Sequence, residues 1–168
     1  MIDKSENAEI ERELRMRRII DARPGRVFRA WIDPREVAEW WGPYGFTNPV
    51  CEPDARPGGR IRIDMTAPDG TVYPMGGLFH EITPHERLVM TTTALEDDDG
   101  NPGLEVVNII TFEDFDGMTN LTLIAAVVKS SPEAQGALDG MEEGWSQTLS
   151  RLARYLAKAG SRGIKSVG

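Results

Sequence analysis

His80, His85 and Cys51 are the chain's whole stock of imidazole and thiol. A metal centre built on nitrogen and sulfur needs such groups clustered at ligand spacing. The two histidines flank a turn signal at Pro84, without the i, i+4 spacing of a helical pair, and Cys51 is distant in sequence. A nucleophilic triad needs serine or cysteine beside histidine and an acid, and no serine sits in a Gly-x-Ser-x-Gly elbow. Phosphate cradles need glycines ahead of a helix. Gly136, Gly140 and Gly144 fall inside an expected helix instead. The loop Asp97-Asp98-Asp99-Gly100 is acidic, but it lacks the ordered ligands and closing glutamate of a calcium loop, so it reads as a solvated turn. One general base remains: His80, Glu81 or Asp64 could face an interior if Gly76-Gly77 puts a bulge in their strand. No catalytic residue, metal or cofactor is therefore assigned.

The second group of interest is aromatic. Trp40, Trp41, Tyr44 and Phe46 crowd a segment punctuated by Gly42, Pro43 and Gly45. Large aromatics on an irregular loop either cap a core or rim a pocket. Asn108 is the other informative residue, since it shares a parity with Val106, Ile110 and Phe112. A buried amide there would need hydrogen-bond partners and could orient a ligand's polar group. The competing reading is a strand end or an error of parity.

These residues must be positioned by a chain of 168 residues, enough for one domain with a sizeable core. Residues 9–159 are expected to form it, with 1–8 and 160–168 as flexible termini. The net charge of −8 argues against a phosphate backbone or an anionic membrane surface as partner. No stretch is apolar enough to span a bilayer. One cysteine forms no intramolecular disulfide, so a reducing cytoplasm is the expected location.

From Ile10 to Ile20, apolar residues alternate with charged ones, which is a half-buried strand. Asp33-Pro34 is a helix start between two short helices over about 24–31 and 34–41. From 46 to 129 the chain reads as strands. Pro68-Asp69-Gly70 and Asp116-Gly117 are hairpin signals, and Gly76-Gly77 suggests a bulge. Ser130 and Glu133 have capping-box spacing before a helix over about 131–158, stopped by Gly160. Its stripe is Leu138, Met141, Trp145, Leu149, Leu152 and Leu156. The three glycines lie off that stripe, where they admit a loop or a second subunit, or where Gly144 leaves room beside Trp145 for a ligand.

The expected fold is thus α+β, a curved antiparallel sheet of about six to seven strands around a long C-terminal helix. A curved sheet and one cylinder do not tile perfectly, and such gaps hold apolar ligands. The candidate pocket residues are Trp40, Trp41, Tyr44, Phe46, Met75, Phe79, Met90, Asn108, Met141, Trp145 and Leu149.

Five motifs in order carry a resemblance. They are Val27-Phe28-Arg29-Ala30-Trp31-Ile32-Asp33-Pro34 with Trp40-Trp41-Gly42-Pro43 and Phe46-Thr47; Arg56-Pro57-Gly58-Gly59-Arg60; Glu81-Ile82-Thr83-Pro84; Glu86-Arg87-Leu88; and Gly140-Met141-Glu142-Glu143-Gly144-Trp145. Over about residues 10–158 the chain resembles the Hsp90-ATPase-activator-homologue branch of the helix-grip (START, Bet v 1-like) superfamily. The resemblance implies a helix-grip fold with a cavity between sheet and helix. It implies a small apolar molecule as partner, and it makes a homodimer one expectation. The activators it resembles carry an additional N-terminal domain, whereas one domain alone is expected here, so a chaperone ATPase is the less favoured partner. Fold alone does not separate carrier, cyclase- or hydrolase-type enzyme and interaction module.

Overall fold

The computed structural model describes residues 12–167, with side chains as far as Ala159. Ile10 and the expected frayed end at 1–8 lie outside the described residues. Strand β1 (Arg12–Ile20) turns Leu14, Met16 and Ile20 inward and Arg15 and Arg17 outward, as the alternation requires. Helices α1 (Pro24–Ile32) and α2 (Pro34–Trp40) follow. Asp33 ends the first and caps the second, its carboxylate accepting the Arg35 backbone N–H at 2.9 Å.

Strands β2 (Thr47–Pro53), β3 (Arg60–Thr66), β4 (Val72–Thr83), β5 (Arg87–Ala94), β6 (Leu104–Phe115) and β7 (Met118–Ser130) complete an antiparallel sheet of order β1-β7-β6-β5-β4-β3-β2. The sheet is curved and open, matching the helix-grip fold. Its first two strands in sequence are its two edges, so the connecting α1 and α2 must cross the sheet between them. Asp116 and Gly117 both take positive φ, 53° and 84°, in the two-residue turn that joins β6 to β7.

The bulge in β4 is not at Gly76-Gly77. Pairing runs unbroken through both glycines and slips between Phe79 and Glu81, so His80 is the extra residue. The glycines answer a different need. A Cβ on Gly77 would stand 2.1 Å from the Thr91 carbonyl oxygen, so no other residue fits that close approach.

The C-terminal helix also departs from expectation. A 3-10 turn (Pro132–Ala134) leads into a short α3 (Gln135–Asp139), and the long α4 (Met141–Val167) starts after Gly140. Ser131, not Ser130, holds the N-cap of that turn, and it makes no side-chain cap bond. Gly140, at φ −94° and ψ 4°, breaks the helix. Gly160 does not stop it, since a glycine lowers helix propensity without forbidding helix.

The core divides in two. Leu149, Leu152 and Leu156 of α4 are buried with Trp31 and Trp40 of the short helices and with Ile110, Phe112, Leu121 and Leu123 of the sheet. Each such side chain contributes roughly 1.5–3 kcal/mol by burial. A second, smaller cluster of Val106, Ala125 and Val127 is met by the half-buried Leu14, Leu104, Leu138 and Met141.

Candidate functional site

Between the two clusters the packing is incomplete. The first two turns of α4 carry Met141 and Trp145, both only half-buried, whereas Leu149, Leu152 and Leu156 farther along are sealed. The sheet opposite those first turns offers Met75, Gly77, Thr92, Val106 and Asn108 at inward positions. The result is a continuous open space of about 1500 Å³. Its wall also includes Arg60, Arg62, Asp64, Leu78 and His80, which the register turns to the outer face. The whole volume therefore spans both faces of the sheet, and only its inward part lies between sheet and helix. Val72, Tyr73, Gly136 and Gly140 line the space and are also exposed, which places a mouth between the β3–β4 hairpin and α3.

Six of the eleven expected pocket residues meet there: Trp41, Phe46, Met75, Asn108, Met141 and Trp145. The other five do not line it. Trp40 is wholly buried and donates its indole N–H to the Ala30 carbonyl at 3.0 Å, a core role. Phe79, Met90 and Leu149 are sealed in the main core. Tyr44 is 46% exposed and lies under the Arg154 guanidinium at 5.6 Å, on the outside of α4. The aromatic segment thus serves both readings given to it, with Trp40 in the core and Trp41 and Phe46 on the cavity wall.

Trp41 and Trp145 meet edge-on at 5.7 Å, and Trp145 stacks on Trp31 at 6.2 Å. Phe46 meets Tyr73 at 6.1 Å nearer the mouth. Edge-on and stacked aromatic pairs of this kind make a rigid apolar wall.

The glycine row faces the same space. A methyl group on Gly136 would meet nothing within 4 Å, and one on Gly144 only Pro43 Cγ at 4.0 Å. Among the described residues no loop fills the groove left by these glycines, and all three line the cavity. Of the openings weighed for them, this one leaves room beside Trp145.

Asn108 is 1% exposed, so the parity that aligned it with Val106, Ile110 and Phe112 was correct. Its amide nitrogen donates to Thr92 Oγ1 at 3.0 Å, Met90 O at 3.3 Å and Val106 O at 3.4 Å. Its Oδ1 is buried with no partner. Leaving a buried acceptor unpaired costs about 1–3 kcal/mol.

The candidate bases lie elsewhere. His80 Nε2 is 2.6 Å from Thr91 Oγ1 on the outer face. Asp64 pairs with Arg62 at 3.3 Å, and Glu81 pairs with Arg87 at 3.3 Å. Inward positions of β3–β6 carry no acid and no histidine. Asp97 turns its carboxylate back on its own loop, accepting the backbone N–H groups of Asp99 and Asn101 at 2.9 Å, and those bonds lower its pKa. Sequence reasoning passed over Met65, Tyr73, Thr92 and Leu104, which also line the space. Strand parity with Met75 and Asn108 was the signal that could have found them.

Residues 21–157 match the family described as Activator of Hsp90 ATPase homolog 1-like protein. Among solved structures, a protein of Chromobacterium violaceum is 32% identical, with 84% of this chain and 94% of that chain covered at a TM-score of 0.71. A protein of Arthrobacter aurescens is 25% identical over 87% of this chain and 86% of its own, with a TM-score of 0.75. The AHSA1 protein of Silicibacter pomeroyi is 26% identical over 88% and 99%, with a TM-score of 0.70. No curated protein matches the chain. No helix among the described residues is long and apolar enough to cross a membrane.

Proposed function

This chain belongs to the family of Activator of Hsp90 ATPase homolog 1-like proteins, and from that premise we propose that it holds a small apolar molecule between its sheet and α4, as a carrier or sensor. Members of that family bind ligands or act on a chaperone ATPase. The observation that carries the reading is the unfilled space between the two core clusters, walled by Trp41, Met75, Met141 and Trp145 and left open by the glycine row. Natural cores are packed to crystal-like density, so a lined hollow of this kind is a feature selected against unless it is used. The lone cysteine favours a reducing cytoplasm for the protein.

A cyclase- or hydrolase-type enzyme in the same cavity is the weaker reading. General acid–base chemistry needs a titratable group within reach, and the polar side chains at inward positions of β3–β6 are Asn108, Thr92 and, near the mouth, Tyr73. Action on a chaperone ATPase is favoured by the family description alone. It would show as stimulated ATP hydrolysis when this protein is added to a purified Hsp90-type chaperone.

The deciding experiment is native mass spectrometry of the protein as isolated from cells, beside the same sample denatured. A noncovalent mass of a few hundred daltons that vanishes on denaturation is the expected result. A clean mass, together with no uptake of 1-decanol or its methyl ether, would end the cavity reading.

A further inference from the structure

We propose that the outer face of the sheet, turned away from α4, is an interface between two copies of this chain. The interface is independent of the cavity. Its first sign is in the two longest strands. β6 holds Val106-Val107-Asn108-Ile109-Ile110, and β7 holds Leu123-Ile124-Ala125-Ala126-Val127, so both are apolar on both parities. A sheet with one face in water alternates apolar with polar, and apolar runs on both parities mark strands covered on both faces. Val106, Ile110, Leu123, Ala125 and Val127 meet the core on the inner face. Val107, Ile109, Ile124 and Ala126 face the other way.

The register joins these outer residues into one patch. Val89, Ile109 and Ile124 form a row across β5, β6 and β7, and Leu78, Thr91, Val107 and Ala126 form the next. Leu78 is 40% exposed, and Val89, Val107, Ile109 and Ile124 are half-buried. Among the described residues, α1, α2 and α4 all pack on the inner face, so no layer lies over the outer one. Residues 1–11 carry Asp3, Lys4, Glu6, Glu9 and Glu11, a composition ill-suited to that layer. A contiguous apolar patch of this kind marks a surface that is used.

The charges at the row ends fix what covers it. Arg15 on β1 ends the first row at one side, and Glu81 on β4 ends it at the other. In the second row, Glu13 stands at the β1 side and Arg60 on β3 at the far side. Each row reverses sign from end to end, and the two rows reverse in opposite order. Such a face complements itself. A two-fold axis along β6 lays β1 of one copy over β4 of the other, with Ile109 meeting its own counterpart at the axis. Arg15 and Glu81 then meet across the interface twice, and Glu13 comes beside Arg60. The pairing of Arg15 with Glu13 and of Glu81 with Arg87 leaves Arg15 and Glu81 68% and 44% exposed, enough for a second partner. A sheet curved around α4 is convex on this side, so the apolar middle touches first and the long charged side chains bridge the widening rim. Two convex faces share a small area, so the expected product is a weak dimer, dissociating at roughly 10 μM.

Sedimentation velocity of the full chain, over a series from low to several hundred micromolar, should show monomer passing into dimer. Ile109→Lys sets two like charges together at the axis. It should raise the dissociation constant about a hundredfold or more, while the melting temperature holds because the inward core is untouched. Should that variant fold poorly, the rim charges decide. Arg15→Glu and Glu81→Arg each set like charges at both rim contacts, so each alone should dissociate more readily than the parent. Mixed together, they restore opposite charges at both contacts, and native mass spectrometry should show the mixed dimer well above the statistical half. A monomer throughout the series would overturn the interface and leave the cavity reading standing. So would a dimer indifferent to Ile109→Lys, or charge variants that mix at the statistical ratio, since either places the contact elsewhere.

Discussion

Arg151 Nη1 donates to the Trp41 carbonyl oxygen at 2.9 Å, joining the middle of α4 to the end of α2. The same nitrogen reaches Gly42 O and Pro43 O at 3.0 Å, and Nη2 reaches Glu39 O at 3.1 Å. Asn48 Nδ2 converges on the Trp41 oxygen too, at 2.9 Å, and on Ala38 O at 3.1 Å. A helix end leaves its last carbonyls without intrahelical partners. Here Arg151, distant in sequence, and Asn48, on the strand that follows, supply the donors. The Trp41–Pro43 wall of the cavity is thereby pinned to α4. Burial lowers the pKa of Arg151 from its ordinary value, yet a guanidinium stays charged across any working pH.

Arg151→Met keeps the aliphatic stem and removes every one of these donors. The expected loss is about 1–3 kcal/mol, because the Glu39 and Gly42 carbonyls lose this donor, while Trp41 O keeps Asn48 and Pro43 O keeps the Phe46 N–H. Urea unfolding of variant and parent measures it. Arg151→Lys should recover only a fraction, since one ammonium cannot reproduce the fork that spans four oxygens. A loss below about 0.5 kcal/mol in Arg151→Met would show that the loop holds itself.

Gly144→Ala should act in opposite directions on stability and on binding. Glycine inside a helix costs about 1 kcal/mol against alanine. The new methyl would meet only Pro43 Cγ at 4.0 Å, so nothing opposes that gain. Thermal unfolding should show a higher melting temperature. The same methyl occupies the space beside Trp145, so uptake of an apolar probe should weaken, and Gly144→Leu should weaken it further. A gain in stability with unchanged binding would place the ligand away from the glycine row.

The fold was legible because its signals are periodic. Alternation marked β1 and β6, paired turn residues marked the β6–β7 hairpin, and the three-four spacing from Leu138 to Leu156 marked the helix. Where expectation failed, a single residue had two uses. Gly76-Gly77 read as a bulge, but Gly77 is a close-approach glycine and the bulge falls on His80, a residue type that announces nothing. Gly160 read as a stop and is passed through, whereas Gly140 was taken as interior and breaks the helix. The cavity wall was half legible for a similar reason. Parity says which residues face inward, but not which of those meet a neighbour. Phe79 and Met75 share a face of β4, yet one is sealed in the core and the other lines the hollow.

Glu36 ties three helices together. It accepts the Tyr155 hydroxyl at 2.8 Å and pairs with Arg26 at 2.7 Å and Arg29 at 3.4 Å, with its side chain 12% exposed. The Tyr155 pKa is raised, first by burial and then by the Glu36 carboxylate it donates to. A raised folded-state pKa means the folded protein holds this proton more tightly. Its stabilising contribution is complete below the ordinary tyrosine range and is lost as pH rises through the folded value. Glu36→Gln should lower the Tyr155 pKa, read by ultraviolet titration of the phenolate. It should also cost about 1–3 kcal/mol in unfolding, since two cations lose their partner. A Tyr155 titration that does not move would mean burial alone sets it.

Cys51 offers a check on the edge of the sheet that needs no mutation. It lies on β2, half-buried and packed against the main core. Burial, with a smaller push from Glu52, raises its thiol pKa to about 11. The thiolate is the reactive form, and an ordinary thiol has a pKa of about 8.5. At pH 8 the native protein should therefore react with iodoacetamide about a hundredfold more slowly than the same chain in denaturant, before any steric shielding is counted. Intact-mass measurements over a time course follow both rates. Because β2 is an edge strand, held on one side by β3 alone, alkylation of the native chain also reports how often that edge opens. Native and denatured rates within a factor of ten would mean that β2 detaches readily. It would then be the weakest part of the wall that carries Phe46 into the cavity, since Phe46 immediately precedes the strand.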